Sequence, residues 1–197
     1  MNIRRIVLFV ITVCILSTCV GCRTPRTLEF TYNPSVPQAP TLRCPVALEL
    51  SPEFANYQYS LGLYQAPFGP ALQKYATYVA QSEFGDVQVL DGQTPLSDVK
   101  LLLVPRVASL VIQTDVPGSG AIGVNWDFKD PKTRQTLYSM HVQCECQDPN
   151  ILHLNPFDTD FNFRHFNYLV NGLMTNLTAI TIQRFDASKD LQRLTGH

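Results

Sequence analysis

The chain has 197 residues, 45% of them hydrophobic and 16% charged, and a formal charge of −1 at neutral pH. That is enough apolar material for one folded domain with a real core. Near-neutral charge excludes the basic footprint of a nucleic-acid-binding protein and also a polybasic membrane patch.

Met1–Arg5 carries two arginines, and Ile6–Leu16 is an unbroken apolar stretch. A short basic region followed by about eleven apolar residues predicts a secretory signal peptide. A membrane-spanning helix needs about 20 apolar residues, whereas Ser17 and Thr18 arrive first. Val20-Gly21-Cys22 closes the segment and resembles the lipobox of bacterial lipoproteins. In that family a small residue precedes a cysteine that receives diacylglycerol before the signal peptide is cut.

Cys19 stands where the lipobox has its usual leucine. Acylation at Cys19 would restore that leucine as Leu16 but put the bulkier Thr18 at the cut. The resemblance implies residues 1–21 as signal peptide and Cys22 as the lipidated residue; an ordinary secretory signal, giving a soluble periplasmic or secreted chain, is the alternative. One acyl chain holds a protein only marginally and two or more hold it stably, and this family carries two or three. Arg23 follows the cysteine in place of the aspartate that retains enterobacterial lipoproteins in the inner membrane. The resemblance therefore points to the outer membrane, facing the periplasm. Removing residues 1–21 takes away two of the 15 basic side chains and none of the 16 acidic ones.

Pro25, Pro34, Pro37 and Pro40 mark residues 22–42 as a semi-extended tether, within which Leu28–Tyr32 alternates and offers a short strand. Residues 43–197 form a single domain. Pro45–Leu50 opens it as a strand bounded by Ser51-Pro52. A tyrosine-rich loop follows, and Pro67-Phe68-Gly69-Pro70 turns into a helix over 71–84, where Leu72, Tyr75, Ala76, Val79 and Phe84 recur near helical spacing and Gly85 supplies the stop.

Val87–Leu90 reads as a strand ending at Asp91-Gly92, and Val99–Val104 as a buried strand. Pro105 predicts a bulge or sheet edge before Val107–Ile112 resumes. Ile122, Val124, Trp126 and Phe128 alternate with polar and small residues. After Asp130-Pro131, Tyr138, Met140, Val142, Cys144 and Cys146 share one strand face, with Ser139, His141, Gln143 and Glu145 on the other. These two runs predict a hairpin. A last helix, from about Asp160 to Phe185, carries Phe166, Leu169, Val170, Leu173, Leu177 and Ile180 on one stripe, with Asp158, Thr159 and Asp160 as caps.

The order β-α-β-β-β-β-α predicts an α+β fold. We expect a mostly antiparallel sheet of four to five strands, both helices on one face, and a right-handed crossover from the first strand through the helix to the second.

Cys44, Cys144 and Cys146 remain in the body of an exported chain, an oxidising context. A disulfide from Cys44 to Cys144 or Cys146 competes with three small reduced core residues. Cys144 and Cys146 lie on the same strand face about 6.5–7 Å apart, at the limit for bridging each other. A metal held by His141, Cys144 and Cys146 is disfavoured, because His141 falls on the opposite face and paired zinc spacings are absent; no metal and no cofactor is expected. Gly118-Ser119-Gly120-Ala121-Ile122-Gly123 spells a dinucleotide motif, but a strand rather than a helix follows, so a flexible hairpin loop explains the glycines better.

Asp127, Asp130, Asp158 and Asp160 fall near element ends and suit turns and caps. His141, His153, His165 and His197 are scattered, and no catalytic set stands out.

From Cys44 to about Glu145 the chain resembles a broad group of bacterial envelope lipoproteins. The residues that carry this are Pro45-Val46-Ala47-Leu48 with Leu50-Ser51-Pro52-Glu53, Phe68-Gly69-Pro70-Ala71-Leu72, Val99–Pro105, and Trp126, Asp130 and Leu137-Tyr138 in the hairpin. The layout is also similar to the lipoprotein partner of the outer-membrane lipopolysaccharide translocon and to auxiliary lipoproteins of lipid-exporting ABC transporters. The resemblance implies the α+β fold and supplies no catalytic residues.

The leading expectation is a non-enzymatic module, anchored to the membrane by its N-terminal lipid, that binds an envelope protein and no nucleic acid. Tyr57, Tyr59, Leu61, Leu63, Tyr64 and Phe68 are the expected contact surface, aromatics being enriched at interface cores; the same tyrosines folding back on the sheet is the alternative. A carrier of lipid or another amphiphile needs an apolar cavity between helix and sheet. A hydrolase needs an Asp–His pair at His153 or His165 beside a nucleophile.

Overall fold

The computed structural model describes residues 26–34, 40–62, 64–90, 98–113, 118–148 and 159–196. The signal peptide 1–21, Cys22, Leu63, the Asp91-Gly92 turn, His153 and Asp158 lie outside the described residues. In chain order the elements are β1 (Arg26–Thr27), β2 (Val46–Glu49), α1 (Pro52–Ala55), β3 (Gln58–Leu61), β4 (Tyr64–Pro67) and α2 (Gly69–Phe84). They continue with β5 (Val87–Leu90), β6 (Leu101–Gln113), β7 (Gly118–Lys129), β8 (Thr136–Asp148), α3 (Thr159–Ala187) and α4 (Lys189–Thr195).

The fold is α+β. The larger sheet runs β5-β2-β6-β7-β8. Its short strands pair in parallel, β2 with both β5 and β6, and its long strands β6, β7 and β8 form an antiparallel meander. The β7–β8 hairpin keeps the register that alternation requires, with Trp126 opposite Met140 and Ile122 opposite Cys144. Pro105 sits inside β6 at a point β2 does not reach, since β2 pairs only as far as Leu103. No ladder partner on that side misses its N–H. The register shift comes slightly later, between Val107 and Ser109.

Both long helices cover one face. Tyr75, Phe84, Trp126, Phe128, Phe166, Leu173 and Phe185 are buried together there. Trp126 and Phe185 meet edge to face at 5.3 Å between ring centroids, the geometry that adds to area burial. A buried hydrogen-bond chain threads this core. Trp126 Nε1 donates to Tyr75 Oη at 3.0 Å, Tyr75 Oη reaches Thr181 Oγ1 at 2.8 Å, and Thr181 donates on to the Leu177 carbonyl at 2.6 Å. The polar atoms of Trp126, Tyr75 and Thr181, which burial takes from water, are thereby satisfied. The opposite face carries a smaller cluster of Ala47, Leu102 and Val104.

The sequence elements need correcting in three places. The tyrosine-rich loop is the β3–β4 hairpin of a second sheet, ordered β1-β4-β3. Its aromatics turn inward, the arrangement given above as the alternative to a contact surface. Tyr64 and Phe68 are buried, Tyr57, Tyr59 and Leu61 are half-buried against the core, and the Ile112 N–H donates to Tyr59 Oη at 3.0 Å. Phe68 packs with Phe30, Tyr59 and Phe166. These side chains join the small sheet to the body, because an exposed aromatic cluster of that size is worth more buried.

The expected tether is also partly folded. Residues 26–34 run along the body, β1 pairs with β4, and Leu28, Tyr32 and Leu42 are core residues. Finally, the glycines at 118–123 belong to strand β7 and not to a loop. A Cβ at Gly120 would stand 2.6 Å from Leu173 Cδ1, so the glycine lets α3 lie close on the sheet.

Helix α2 ends at Gly85, whose φ of 76° favours glycine. Helix α3 follows the expected stripe, with Thr178 and Thr181 buried among the apolar residues. Two short helices escaped the periodicity reading. Ser51 caps α1 by accepting from the Phe54 N–H, and Ser188 caps α4 by accepting from the Leu191 N–H.

Candidate functional site

Helices α2 and α3 pack beside each other over the sheet, and residues 26–34 cross their outer groove. The three together leave a cleft of about 660 Å³. On α2, Tyr78 and Ser82 are one turn apart and share a face, with Glu83 beside them. On α3, Thr175, Thr178, Ala179, Ile182 and Asp186 form a stripe next to the core stripe. Tyr32, Asn33, Pro34 and Thr41 complete the walls.

The chemistry of this cleft is acidic and hydroxyl-rich. Glu83 is 2% exposed, and Thr41 Oγ1 donates to its carboxylate at 3.2 Å. Burial first, and the neighbouring Asp186 second, push its carboxyl up to about 8 against the pull of Thr41. Glu83 thus keeps its proton at neutral pH, while Asp186 stands at the mouth, exposed. Ser82 Oγ is buried without a hydrogen-bond partner. Tyr32 donates to Thr178 Oγ1 at 2.6 Å, since Thr178 itself donates to the Met174 carbonyl; burial raises the Tyr32 phenol above its ordinary value.

Sequence reading used α2 only for its apolar stripe and missed this site. The signal was present: Glu83 follows Val79 by four residues and so falls on the apolar side of the helix.

Of the two alternatives for the cysteines, a bridge from Cys44 and three reduced residues, the described residues have the second. Cys44 and Cys144 are buried free thiols. Cys44 precedes β2 and Cys144 lies on β8, three strands across the sheet. At about 4.8 Å per strand that separation is about 14 Å, twice the reach of a disulfide. Burial raises the thiol of Cys44 and pushes that of Cys144 up to about 12, and Cys144 donates to the Leu173 carbonyl at 3.3 Å. Cys146 is half-buried with its sulfur over Gly172, where a Cβ would approach within 2.6 Å. These cysteines seat α3 on the strand.

His141 faces away from both β8 cysteines, as expected, and its Nδ1 lies 2.7 Å from Asn125 Oδ1. Among the described residues no group of three His, Cys, Asp or Glu could hold a metal ion. Asp130 accepts from the Lys132 and Thr133 N–H groups and caps the β7–β8 turn. Asp127 is committed to Arg106 and Ser139. The space between helices and sheet, where an amphiphile carrier would need its cavity, is filled by the buried aromatics.

The described residues therefore define an α+β domain whose open cleft lies between two helices on the outer side of the sheet. No family model matches the chain, and no curated protein matches it. Among solved structures it is similar to PelC from Paraburkholderia phytofirmans, solved as a dodecamer. That likeness has 15% identity over 80% of this chain and 94% of that one, at a TM-score of 0.49. It is also similar to a minor lipoprotein from Acinetobacter baumannii, at 11% identity over 75% and 94% of the two chains and a TM-score of 0.38. Lipoprotein GNA1162 from Neisseria meningitidis is matched at 11% identity over 73% of this chain and 100% of that one, at a TM-score of 0.38. The structural neighbours thus include bacterial lipoproteins. Among the described residues no helix is long and apolar enough to cross a membrane.

Proposed function

We propose that the protein is a non-enzymatic, lipid-anchored module of the outer membrane that faces the periplasm and binds a partner in envelope assembly or transport. The observation that carries this reading is how soon the folded body begins after the lipobox. Three residues separate Cys22 from Arg26, which already pairs in β1. Such a stretch spans at most about 14 Å. A lipid on Cys22 holds the small β1-β4-β3 sheet close to the bilayer surface, with the α2–α3 cleft fixed to the same body through Tyr32 and Asn33.

The intact mass of the mature chain tests the anchor: an N-terminal acylated cysteine is expected, and an unmodified chain starting at any other residue overturns it. Cys22→Ser is expected to move the protein from the membrane to the soluble fraction. Crosslinking in intact cells is expected to recover one defined envelope protein; capture of none removes the partner.

A further inference from the structure

We propose that the cleft between α2 and α3 binds an organic ligand by its primary ammonium group, seated between Glu83 and Asp186. The proposal rests on reading the chain as a binding module and names the chemistry of its ligand. At about 660 Å³ the cleft has the size of a small-molecule site.

Three observations select the ligand class. The carboxyl groups of Glu83 and Asp186 face each other across the helices. Among the described residues no lysine or arginine lines the cleft. Lys74, at the rim, already donates to the Tyr32 carbonyl at 3.2 Å and to Asn33 Oδ1 at 2.9 Å. A cation from outside is the natural counter-charge.

The second observation is Ser82. Its hydroxyl is 4% exposed, lines the cleft and has no partner, a state that costs about 1–3 kcal/mol in a protein interior. A donor on a ligand in the cleft would satisfy this oxygen. Third, a primary ammonium offers three donors, matching Glu83, Asp186 and Ser82 Oγ. Tyr78, Ala179 and Ile182 also line the cleft and offer apolar surface to the rest of the ligand.

Binding must be linked to protons. The groups facing Glu83 are Thr41 from the chain before β2, Asp186 from α3, and the phenols of Tyr32 and Tyr78. None brings positive charge. The ammonium therefore binds the ionised carboxyl, releases its proton, and binds more tightly as pH rises toward and past the titration of Glu83 near 8.

Calorimetric titration of the full chain in detergent micelles tests this with cadaverine and its neutral analogue pentanediol. Cadaverine is expected to bind saturably and pentanediol at least about tenfold more weakly. Affinity for cadaverine should rise about tenfold from pH 6.5 to 8.5 with net proton release, and Glu83→Gln should weaken it about tenfold or more. Asp186→Asn, at the exposed mouth, serves the same purpose if Glu83→Gln fails to fold.

Glycerophosphoethanolamine distinguishes the sources. Binding at least as tight as that of cadaverine assigns a lipid headgroup, and cadaverine binding alone assigns a soluble amine. Absence of saturable binding, equal binding of diamine and diol, or indifference to both variants overturns the proposal. Each of these failures would leave the anchor and crosslinking results standing, so the two readings fail separately.

Discussion

Glu83→Gln should make the protein more stable in alkali while leaving it unchanged in acid. Glu83 titrates near 8 in the folded chain, against an ordinary value of 4.5. Between those values the folded state keeps a proton that the unfolded state has lost, so wild-type stability falls as pH rises through the window. At about 1.36 kcal/mol per pH unit the full displacement sets a ceiling of roughly 5 kcal/mol. The carboxyl borders an open cleft, and water there reduces the difference to about 2 kcal/mol. Glutamine keeps an acceptor for Thr41 and offers an amide N–H to Asp186 without a charge to bury. For a domain of this size the variant should melt about 4–8 °C higher than wild type at pH 9 and within about 1 °C of it at pH 5. Thermal denaturation of both proteins across that range, taken as the difference at each pH, is the assay. Parallel curves, or a wild type that gains on the variant as pH rises, would refute the buried, protonated carboxyl.

Tyr59→Phe removes the hydroxyl that accepts from the Ile112 N–H. It should cost about 1 kcal/mol and speed hydrogen exchange at Ile112; unchanged exchange would deny that Tyr59 ties the small sheet to β6. Gly120→Ala drives a methyl against Leu173 and should cost about 1–3 kcal/mol. The cost should shrink in a Leu173→Ala background, a coupling that a double-mutant cycle measures. Because Cys44 and Cys144 are unbridged and buried, reductant should leave the melting temperature unchanged. Both thiols should resist a soluble disulfide reagent until the chain unfolds, since the thiolate is the reactive form; a melting temperature that drops with reductant would expose a bridge.

What the sequence determined by itself is what periodicity and local chemistry determine. The alternation at Ile122–Phe128 and Tyr138–Cys146 specified both faces of the β7–β8 hairpin, because a strand repeats every two residues. The 3.6-residue stripes specified which sides of α2 and α3 face the sheet, and the N-terminal run of Arg4, Arg5 and Ile6–Leu16 needs no fold to be read.

Tertiary structure decided where residues far apart in the chain meet. Tyr59 and Phe68 read equally well as a surface and as a core until Phe30, Phe166 and Ile112 came to them from three other segments. Cys44 and Cys144 were compatible with a bridge until strand order placed β6 and β7 between β2 and β8. The cleft belongs to the same class: Glu83 has an unusual carboxyl only because Thr41, Asp186 and the crossing segment at Tyr32 enclose it. Burial and charge proximity are sums over neighbours in space, which spacing along one helix does not report.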